Sequence, residues 1–284
     1  MRVDKELETL LKQLHLPTFR EHYNELAIKA AQEQLSYAEY LLHLCRLEAQ
    51  VRRYNTIARL VKASRLPLEK TFETFAFNRL PNGITQQVKV LAEGRFVDAC
   101  ENILAFGRPG SGKTHLLCGI CHALARQGRR VYFTTCDLMV QQLLRAKQDL
   151  ELDKLLKRLS RYEVLMIDDF GYVKQNREEM EVLFSLLAYR YERGSMLITS
   201  NLPFSRWQEV FKDPMTTAAA IDRLVHHSVI LELNVDSYRA QAQATAQRQS
   251  DQRNGTPAPD DSDNPSDDNS DNDSRYEDVD NIDQ

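Results

Sequence analysis

The stretch that most constrains this chain is Gly107–Thr114, written GRPGSGKT, which fits the pattern G-x-x-x-x-G-K-[ST]. An apolar run precedes it and a helical pattern follows it, which is the context that a phosphate-binding loop requires. Its glycines let backbone N–H groups turn toward phosphate oxygens at a helix N-terminus, which favours anions. The lysine reaches the terminal phosphates and the threonine hydroxyl coordinates Mg²⁺. The candidate nucleotide-binding residues are Gly107, Arg108, Pro109, Gly110, Ser111, Gly112, Lys113, Thr114 and His115.

From Cys100 onward, short apolar runs alternate with helical patterns, which predicts an α/β fold around a parallel sheet. The predicted strands are Ile103–Phe106, Val131–Thr134, Val164–Ile167, Met196–Thr199 and Val229–Leu233. The predicted helices between them are Lys113–Gln127, Leu138–Ser160 and Glu178–Arg193.

The chain before this region is predicted to be helical. Helices are expected at about Lys5–His15 and Phe19–Gln34, and a capping box, Ser36 with Glu39, opens a long third helix. After Pro67 the pattern becomes a linker with apolar anchors. We therefore expect a helical N-terminal domain at 1–70, an α/β nucleotide-binding domain at 71–240 and a tail at 241–284.

The charge is divided unevenly along the chain. Residues 251–284 hold twelve Asp or Glu and two Arg, which is −10, so the preceding 250 residues carry +6 of a net −4. The tail is too polar to bury a core, and we expect it to be disordered. It either keeps the protein in solution or competes with nucleic acid for basic surfaces.

Composition excludes a membrane protein, since no stretch approaches ~20 consecutive apolar residues. The charged N-terminus also lacks the apolar centre of a secretory signal, so the expected location is the cytoplasm. Cys118 and Cys121 form a lone C-x-x-C inside a predicted helix. Because a zinc site needs about four ligands, buried thiols are expected there instead of metal or redox chemistry.

A second candidate element of the site is Val164–Asp169, written VLMIDD, about fifty residues after the loop. A buried strand that ends in two carboxylates is rarely only structural, because unpaired buried charge is costly. Asp168 is expected to hold Mg²⁺, and Asp169 to orient or deprotonate an attacking water. This arrangement predicts hydrolysis as well as binding.

Two further residues complete the candidate catalytic set. Asn201 follows the strand LITS, where strand tips cluster beside a phosphate site; alternatively, it only terminates the strand before Pro203. Arg223 precedes the last strand and is a candidate arginine finger for a neighbouring subunit; alternatively, it pairs with Asp222 or Glu232. The candidate catalytic residues are therefore Lys113, Asp168, Asp169, Asn201 and Arg223.

Two basic stretches are candidate DNA contacts. Between Arg46 and Lys70 there are seven Lys or Arg against two Glu. In residues 152–161, leucines occupy one helical face and basic residues the opposite one. Either stretch alone is also explained by a solvated helical face. The candidate DNA-binding residues are Arg52, Arg53, Arg59, Lys62, Arg65, Lys154, Lys157, Arg158 and Arg161.

The pieces GKTHLL, IDDFGY, ITSN and IDRL, in this order, resemble the AAA+ ATPases of the initiator and helicase-loader clade. They look closer still to the IstB-type transposition helper ATPases. The run LSYAEYLLHLCRLEAQVRRYNTIARLVKASRLPLEKTFETFAFNRLP is similar to the IstB-like N-terminal region, and the resemblance covers roughly residues 5–240. Many relatives place Glu at the position of Asp169, so the shorter side chain predicts slow turnover.

The resemblance implies an AAA+ P-loop fold with a five-stranded parallel sheet behind a small all-α domain. It also implies ATP and Mg²⁺ as cofactors and a homo-oligomer with nucleotide sites at subunit interfaces. The expected role is to bind double-stranded DNA with weak sequence selectivity, to select or remodel it as a target and to activate a partner transposase.

Two alternative functions require other features. A DnaC-like helicase loader would bind single-stranded DNA and a replicative helicase, and the basic N-terminal cluster favours duplex DNA over that hypothesis. A metabolic P-loop kinase would need an acceptor-binding loop, and nothing after the phosphate loop resembles one.

Overall fold

The computed structural model describes residues 2–171, 177–207 and 214–233. This part of the chain begins with three helices. They are α1 (Arg2–Gln13), α2 (Pro17–Gln32) and α3 (Tyr37–Ser64). The predicted capping box of α3 is present: Ser36 Oγ accepts from the Glu39 N–H at 3.3 Å, and the Glu39 carboxylate accepts from the Ser36 N–H at 2.8 Å. The predicted acidic tail lies outside the described residues.

The region between α3 and the first strand is more ordered than a linker. It contains two 3-10 turns, Phe72–Thr74 and Phe77–Arg79, and then α4 (Asn82–Ala92) and α5 (Arg95–Asp98). The sequence prediction missed α4, although Val88 and Leu91 of that helix are buried in the core. The Pro-Asn-Gly start resembles a turn, but Pro81 precedes a helix here, where a residue with fixed φ is tolerated.

Five parallel strands in the described residues form one sheet in the order β2-β3-β4-β1-β5. They are β1 (Asn102–Gly107), β2 (Val131–Thr135), β3 (Val164–Asp168), β4 (Ser195–Ser200) and β5 (Ser228–Leu233). Each lies within one or two residues of its predicted bounds. Because β3, β4 and β1 are neighbours in this order and all strands are parallel, the residues that follow these three strands meet at one edge of the sheet.

Helices cover both faces of the sheet. They are α6 (Lys113–Arg126), α7 (Cys136–Gln148), α8 (Leu152–Leu159), α9 (Arg177–Arg190) and α10 (Pro214–Val225). One buried cluster gathers α7, α8, α9 and α10, and a second gathers α4 and α6 with the end of α3. None of the described helices is long and apolar enough to cross a membrane.

The N-terminal helices are fastened to the sheet at the end of α3. The Arg65 guanidinium lies 5.3 Å from the centroid of the Tyr132 ring, and its Nη1 donates to the Tyr132 hydroxyl at 3.2 Å. His122 of α6 bonds the Pro67 carbonyl at 2.9 Å. The division of the chain at residue 70 stays a prediction.

Candidate functional site

The phosphate loop lies between β1 and α6, as predicted, and its backbone is closely packed. A Cβ added at Gly107 would lie 2.5 Å from the Leu233 carbonyl oxygen, so this position accepts glycine alone. Gly112 adopts φ +93°, in the left-handed region, and a Cβ there would lie 3.1 Å from the Phe75 ring. The loop is therefore held in shape between β5 on one side and the segment before β1 on the other.

Lys113 joins the loop to the tip of β4. Its Nζ donates to the carbonyls of Gly107 at 2.9 Å and Arg108 at 3.0 Å, and to Asn201 Oδ1 at 2.6 Å. Asn201 thus lies beside the loop, as its functional interpretation required. An interpretation of Asn201 as a strand terminator alone does not explain this contact.

The hydroxyl and carboxylate expected to hold Mg²⁺ are in direct contact. Thr114 Oγ1 donates to Asp168 Oδ1 at 2.7 Å. Thr199 Oγ1 donates to the same oxygen at 2.6 Å and accepts from the Asp169 N–H at 2.9 Å. A threonine hydroxyl and a carboxylate at this spacing are oxygen donors that suit Mg²⁺.

Sequence reasoning missed Thr199 as part of this site. It is fully buried in β4, two positions before Asn201. Side chains alternate between the two faces of a sheet along a strand, and the sequence alone does not identify which residue of β4 contacts Asp168.

Asp169 is the exposed carboxylate next to this network. Its φ of 57° places it in the left-handed region, which Asp tolerates better than most residues. Thr199 holds its backbone N–H, while Asp168 is 6% exposed and faces the loop. The two adjacent carboxylates therefore occupy different environments, one buried among hydroxyls and one open to water.

Ser111 supplies a buried polar atom without a partner. The residue is 5% exposed, and its Oγ makes no hydrogen bond in the described structure. Since buried polar atoms are normally satisfied, a bound phosphate oxygen is a fitting partner for this hydroxyl.

His115 was predicted to contact nucleotide, but its side chain faces the segment before β1. Its Nε2 donates to the Thr71 carbonyl at 2.9 Å and lies 3.0 Å from Thr74 Oγ1. The Phe75 ring meets it edge to face at 5.2 Å. These contacts tie the 3-10 turns to the first turn of α6.

Arg223 lies away from the phosphate loop of its own chain. It is near the C-terminus of α10, just before β5, whereas the loop follows the far end of β1. A strand of this length separates the two edges by roughly 15–20 Å. Its Cζ lies 4.7 Å from the Phe184 ring centroid and its Nη1 donates to the Ala219 carbonyl at 2.8 Å.

The candidate DNA contacts on α3 divide into two groups. Arg52 is bound within the chain, to Glu48 at 2.6 Å and to the His15 carbonyl at 2.6 Å, and Arg65 packs on Tyr132. All five are exposed to solvent, but Arg53, Arg59 and Lys62 form no ion pair or ring contact among the described residues.

The candidate contacts on α8 divide in the same way. Lys154 pairs with Glu151 at 2.9 Å, and Lys157 pairs with Asp153 at 2.7 Å. Arg158 and Arg161 form no ion pair among the described residues. All four side chains are exposed and line a groove of about 710 Å³ between α7 and α8. The opposite face of α8 is apolar and buried, as the pattern predicted.

The cysteines of the C-x-x-C are both fully buried in α6, against Met166 of β3. Burial raises the pKa of the Cys118 thiol to about 12 and that of Cys121 well above its usual value. These thiols stay protonated at neutral pH, and the prediction that both are buried is confirmed.

Comparisons with known proteins agree on the family and the fold. The family model described as "IstB-like ATP binding protein" matches residues 9–246. A protein named as an insertion sequence ATP-binding protein in Sinorhizobium fredii is 39% identical over 246 residues, covering 86% of this chain and 83% of that protein. One from the insertion sequence IS5376 of Geobacillus stearothermophilus is 38% identical, covering 80% of this chain and 90% of that protein.

The fold is also similar to that of a solved structure. The DnaC helicase loader superposes with a TM-score of 0.51 at 16% identity, covering 60% of this chain and 98% of that one. At this identity the likeness concerns the fold alone, which is that of an AAA+ module.

Proposed function

Because the chain belongs to the family of IstB-like ATP binding proteins, we propose that it is an AAA+ ATPase of an insertion sequence. It assembles on double-stranded DNA in an ATP-dependent manner, selects or remodels that DNA as a target and activates a partner transposase. The observation that supports the nucleotide cycle is the convergence of Lys113 and Thr114 with Asp168 and Asn201 at one edge of the sheet.

Binding of ATP replaces hydrogen bonds that Lys113 makes to oxygens of its own chain. Backbone N–H groups of the loop and Lys113 receive the phosphates, and the Ser111 hydroxyl gains an oxygen partner. Thr114 and Asp168 would hold Mg²⁺, which would supply positive charge that neutralises the phosphates.

Hydrolysis uses the exposed carboxylate of Asp169 and the side-chain amide of Asn201. Asp169 accepts a proton from the attacking water, and Asn201 orients that water or the terminal phosphate. Thr199 fixes the backbone of Asp169 and the carboxylate of Asp168 together, so the two carboxylates keep separate tasks.

Arg223 acts in a neighbouring subunit. In its own chain it lies at the opposite edge of the sheet from the loop, beside Phe184. A homo-oligomer with nucleotide sites at its interfaces would bring this guanidinium to the neighbour's terminal phosphate.

Mixing two variant subunits tests this arrangement. Alone, the Lys113→Ala protein and the Arg223→Ala protein should each lose about 10³-fold in turnover. A mixture of the two variant proteins should regain activity, because an interface between them combines an intact Lys113 from one subunit with an intact Arg223 from the other. An inactive mixture would contradict action in trans.

DNA is held by the exposed basic side chains of α3 and α8. Phosphate contacts of this kind give affinity with little base specificity and a strong dependence on salt. The exposed candidates that form no ion pair or ring contact among the described residues are Arg53, Arg59, Lys62, Arg158 and Arg161.

The affinity of the protein for duplex DNA compared with single-stranded DNA tests this function. A labelled duplex and its separate strand are titrated with the full chain in ATP, in ADP and without nucleotide, and the size of the complex is measured in parallel. ATP-dependent assembly on duplex supports the proposal. Preference for the single strand would instead indicate a helicase loader that docks on a replicative helicase.

A further inference from the structure

Two turns meet at the sheet edge opposite the phosphate loop, and they bring three metal-binding side chains together. Glu192 lies in the turn between α9 and β4, and His226 and His227 lie in the turn between α10 and β5. One ligand atom from each lies within 4.8 Å of the others, and all three residues are exposed. Neither the nucleotide site nor the candidate DNA contacts use these residues.

We propose that Glu192, His226 and His227 bind a divalent transition metal ion of the Zn²⁺ class. Two imidazoles and one carboxylate are ligands that Zn²⁺ accepts at about 2.0–2.2 Å, with water in the fourth position. Ligand atoms around such an ion lie about 3.3–3.5 Å apart. Exposed side chains can close the remaining distance by rotation, without a change of backbone.

Neighbouring contacts already orient the ligands. His226 Nδ1 lies 3.3 Å from the Tyr191 hydroxyl, and such a bond to one ring nitrogen fixes which nitrogen meets a metal. The two histidine rings stand edge to face at 4.2 Å. The His226 N–H donates to the Asp222 carbonyl at 3.0 Å, so the end of α10 holds the pair in place.

The ion would connect two segments that are separate in sequence, and it would do so beside Arg223. Glu192, His227 and Arg223 line one cavity of about 210 Å³, together with Asp98 and Cys100. An ion bound there fixes the end of α10 relative to the turn after α9. If Arg223 acts in a neighbouring subunit, as proposed above, metal occupancy then strengthens assembly; the metal site itself does not depend on that role.

Metal binding by the full chain tests the proposal. Any affinity tag is removed first, and a chelator removes metal that is already bound. Co²⁺ absorption and Zn²⁺ calorimetry are measured at pH 7.5 without ATP or DNA, so that failure here is distinct from failure of the proposed function. We expect one ion per chain, and a loss of at least about tenfold in affinity in Glu192→Gln, His226→Gln and His227→Gln.

A matched control is available in the chain. His22 lies 3.7 Å from Glu25 in another exposed His–Glu pair, so His22→Gln removes an imidazole of the same kind. Its metal affinity should equal that of the unchanged protein. The absence of binding, an equal loss in His22→Gln, or full affinity in Glu192→Gln would overturn the three-ligand site.

Discussion

Asn201 Oδ1 accepts a hydrogen bond of 2.6 Å from Lys113 Nζ, which connects the tip of β4 to the phosphate loop. The same ammonium also donates to the carbonyls of Gly107 and Arg108. An ammonium has three donors, so these three oxygens occupy them all. A terminal phosphate must therefore replace at least one of them, and the Asn201 contact is the one that involves a mobile side chain.

Replacement of Asn201 by alanine should separate binding from turnover. Asn201→Ala removes an acceptor that competes with phosphate for Lys113, so ATP affinity should be unchanged or higher. Turnover should fall by about 10²-fold, since one transition-state contact is lost. Equilibrium binding of a fluorescent ATP analogue and steady-state hydrolysis measure the two effects. A large loss of ATP affinity would show that Asn201 supports the loop instead of the reaction.

The arginines of α8 should contribute more to DNA binding than its lysines. All four side chains line the groove, but Lys154 and Lys157 are paired with the carboxylates of Glu151 and Asp153, whereas the two arginines form no ion pair among the described residues. Arg158→Ala with Arg161→Ala should reduce the slope of log affinity against log salt by about 2, at roughly 0.9 for each phosphate contact. The matched control is Lys154→Ala with Lys157→Ala, which should change the slope less. Equal slopes in both double variants would argue against α8 as a phosphate-contacting surface.

Arg190 should be the most sensitive charged position for stability. It is 1% exposed, and its guanidinium donates to the carbonyls of Tyr162, Glu163 and Ser195, which binds the starts of β3 and β4. Burial lowers its pKa to about 10, yet it stays charged at neutral pH.

Arg190→Met removes the guanidinium donors from these carbonyls, of which that of Glu163 keeps the Ser195 N–H at 3.1 Å, and it should destabilise the fold by about 3 kcal/mol. For a chain of this size that corresponds to a fall of roughly 6–12 °C in Tm. Thermal denaturation measures it, with Arg193→Met as the control, because Arg193 is exposed and stacks on Tyr189. Similar Tm values for the two variants would be inconsistent with a structural role of Arg190.

The ion pair between Glu73 of the first 3-10 turn and Arg126 of α6 should weaken in acid. Hydrogen bonds from Thr71 and then Arg126 lower the pKa of the Glu73 carboxyl to about 2. A folded-state pKa below the unfolded one means that the carboxylate stabilises the fold above about pH 4.5 and loses this effect as pH falls toward 2.

Urea denaturation of the unchanged protein and of Glu73→Gln at a series of pH values measures this dependence. The difference between their midpoints should be constant above pH 5 and should shrink between about pH 4.5 and 2. A difference that does not vary with pH would mean that the charge of Glu73 contributes nothing to the fold.

Local signals in the sequence were sufficient for the strands, the phosphate loop and the start of α3. The Ser36–Glu39 box, for example, needs only residues three apart. The contacts of Thr199 and Arg190 depend on which strands are neighbours, so they could not be read from the chain. The same is true of Arg52 and Arg65, whose charge suggested DNA but whose partners, the His15 carbonyl and Tyr132, are distant in sequence.

ATP at the phosphate loop should control assembly on duplex DNA. Duplex affinity is measured with and without ATP for the unchanged protein, Lys113→Ala and Asp169→Asn. Asn also tolerates the left-handed backbone found at Asp169, so that variant should bind ATP without hydrolysing it. We predict that ATP tightens duplex binding in the unchanged protein and in Asp169→Asn, and has no effect in Lys113→Ala. Equal duplex affinity in all three proteins, with or without ATP, would contradict the account.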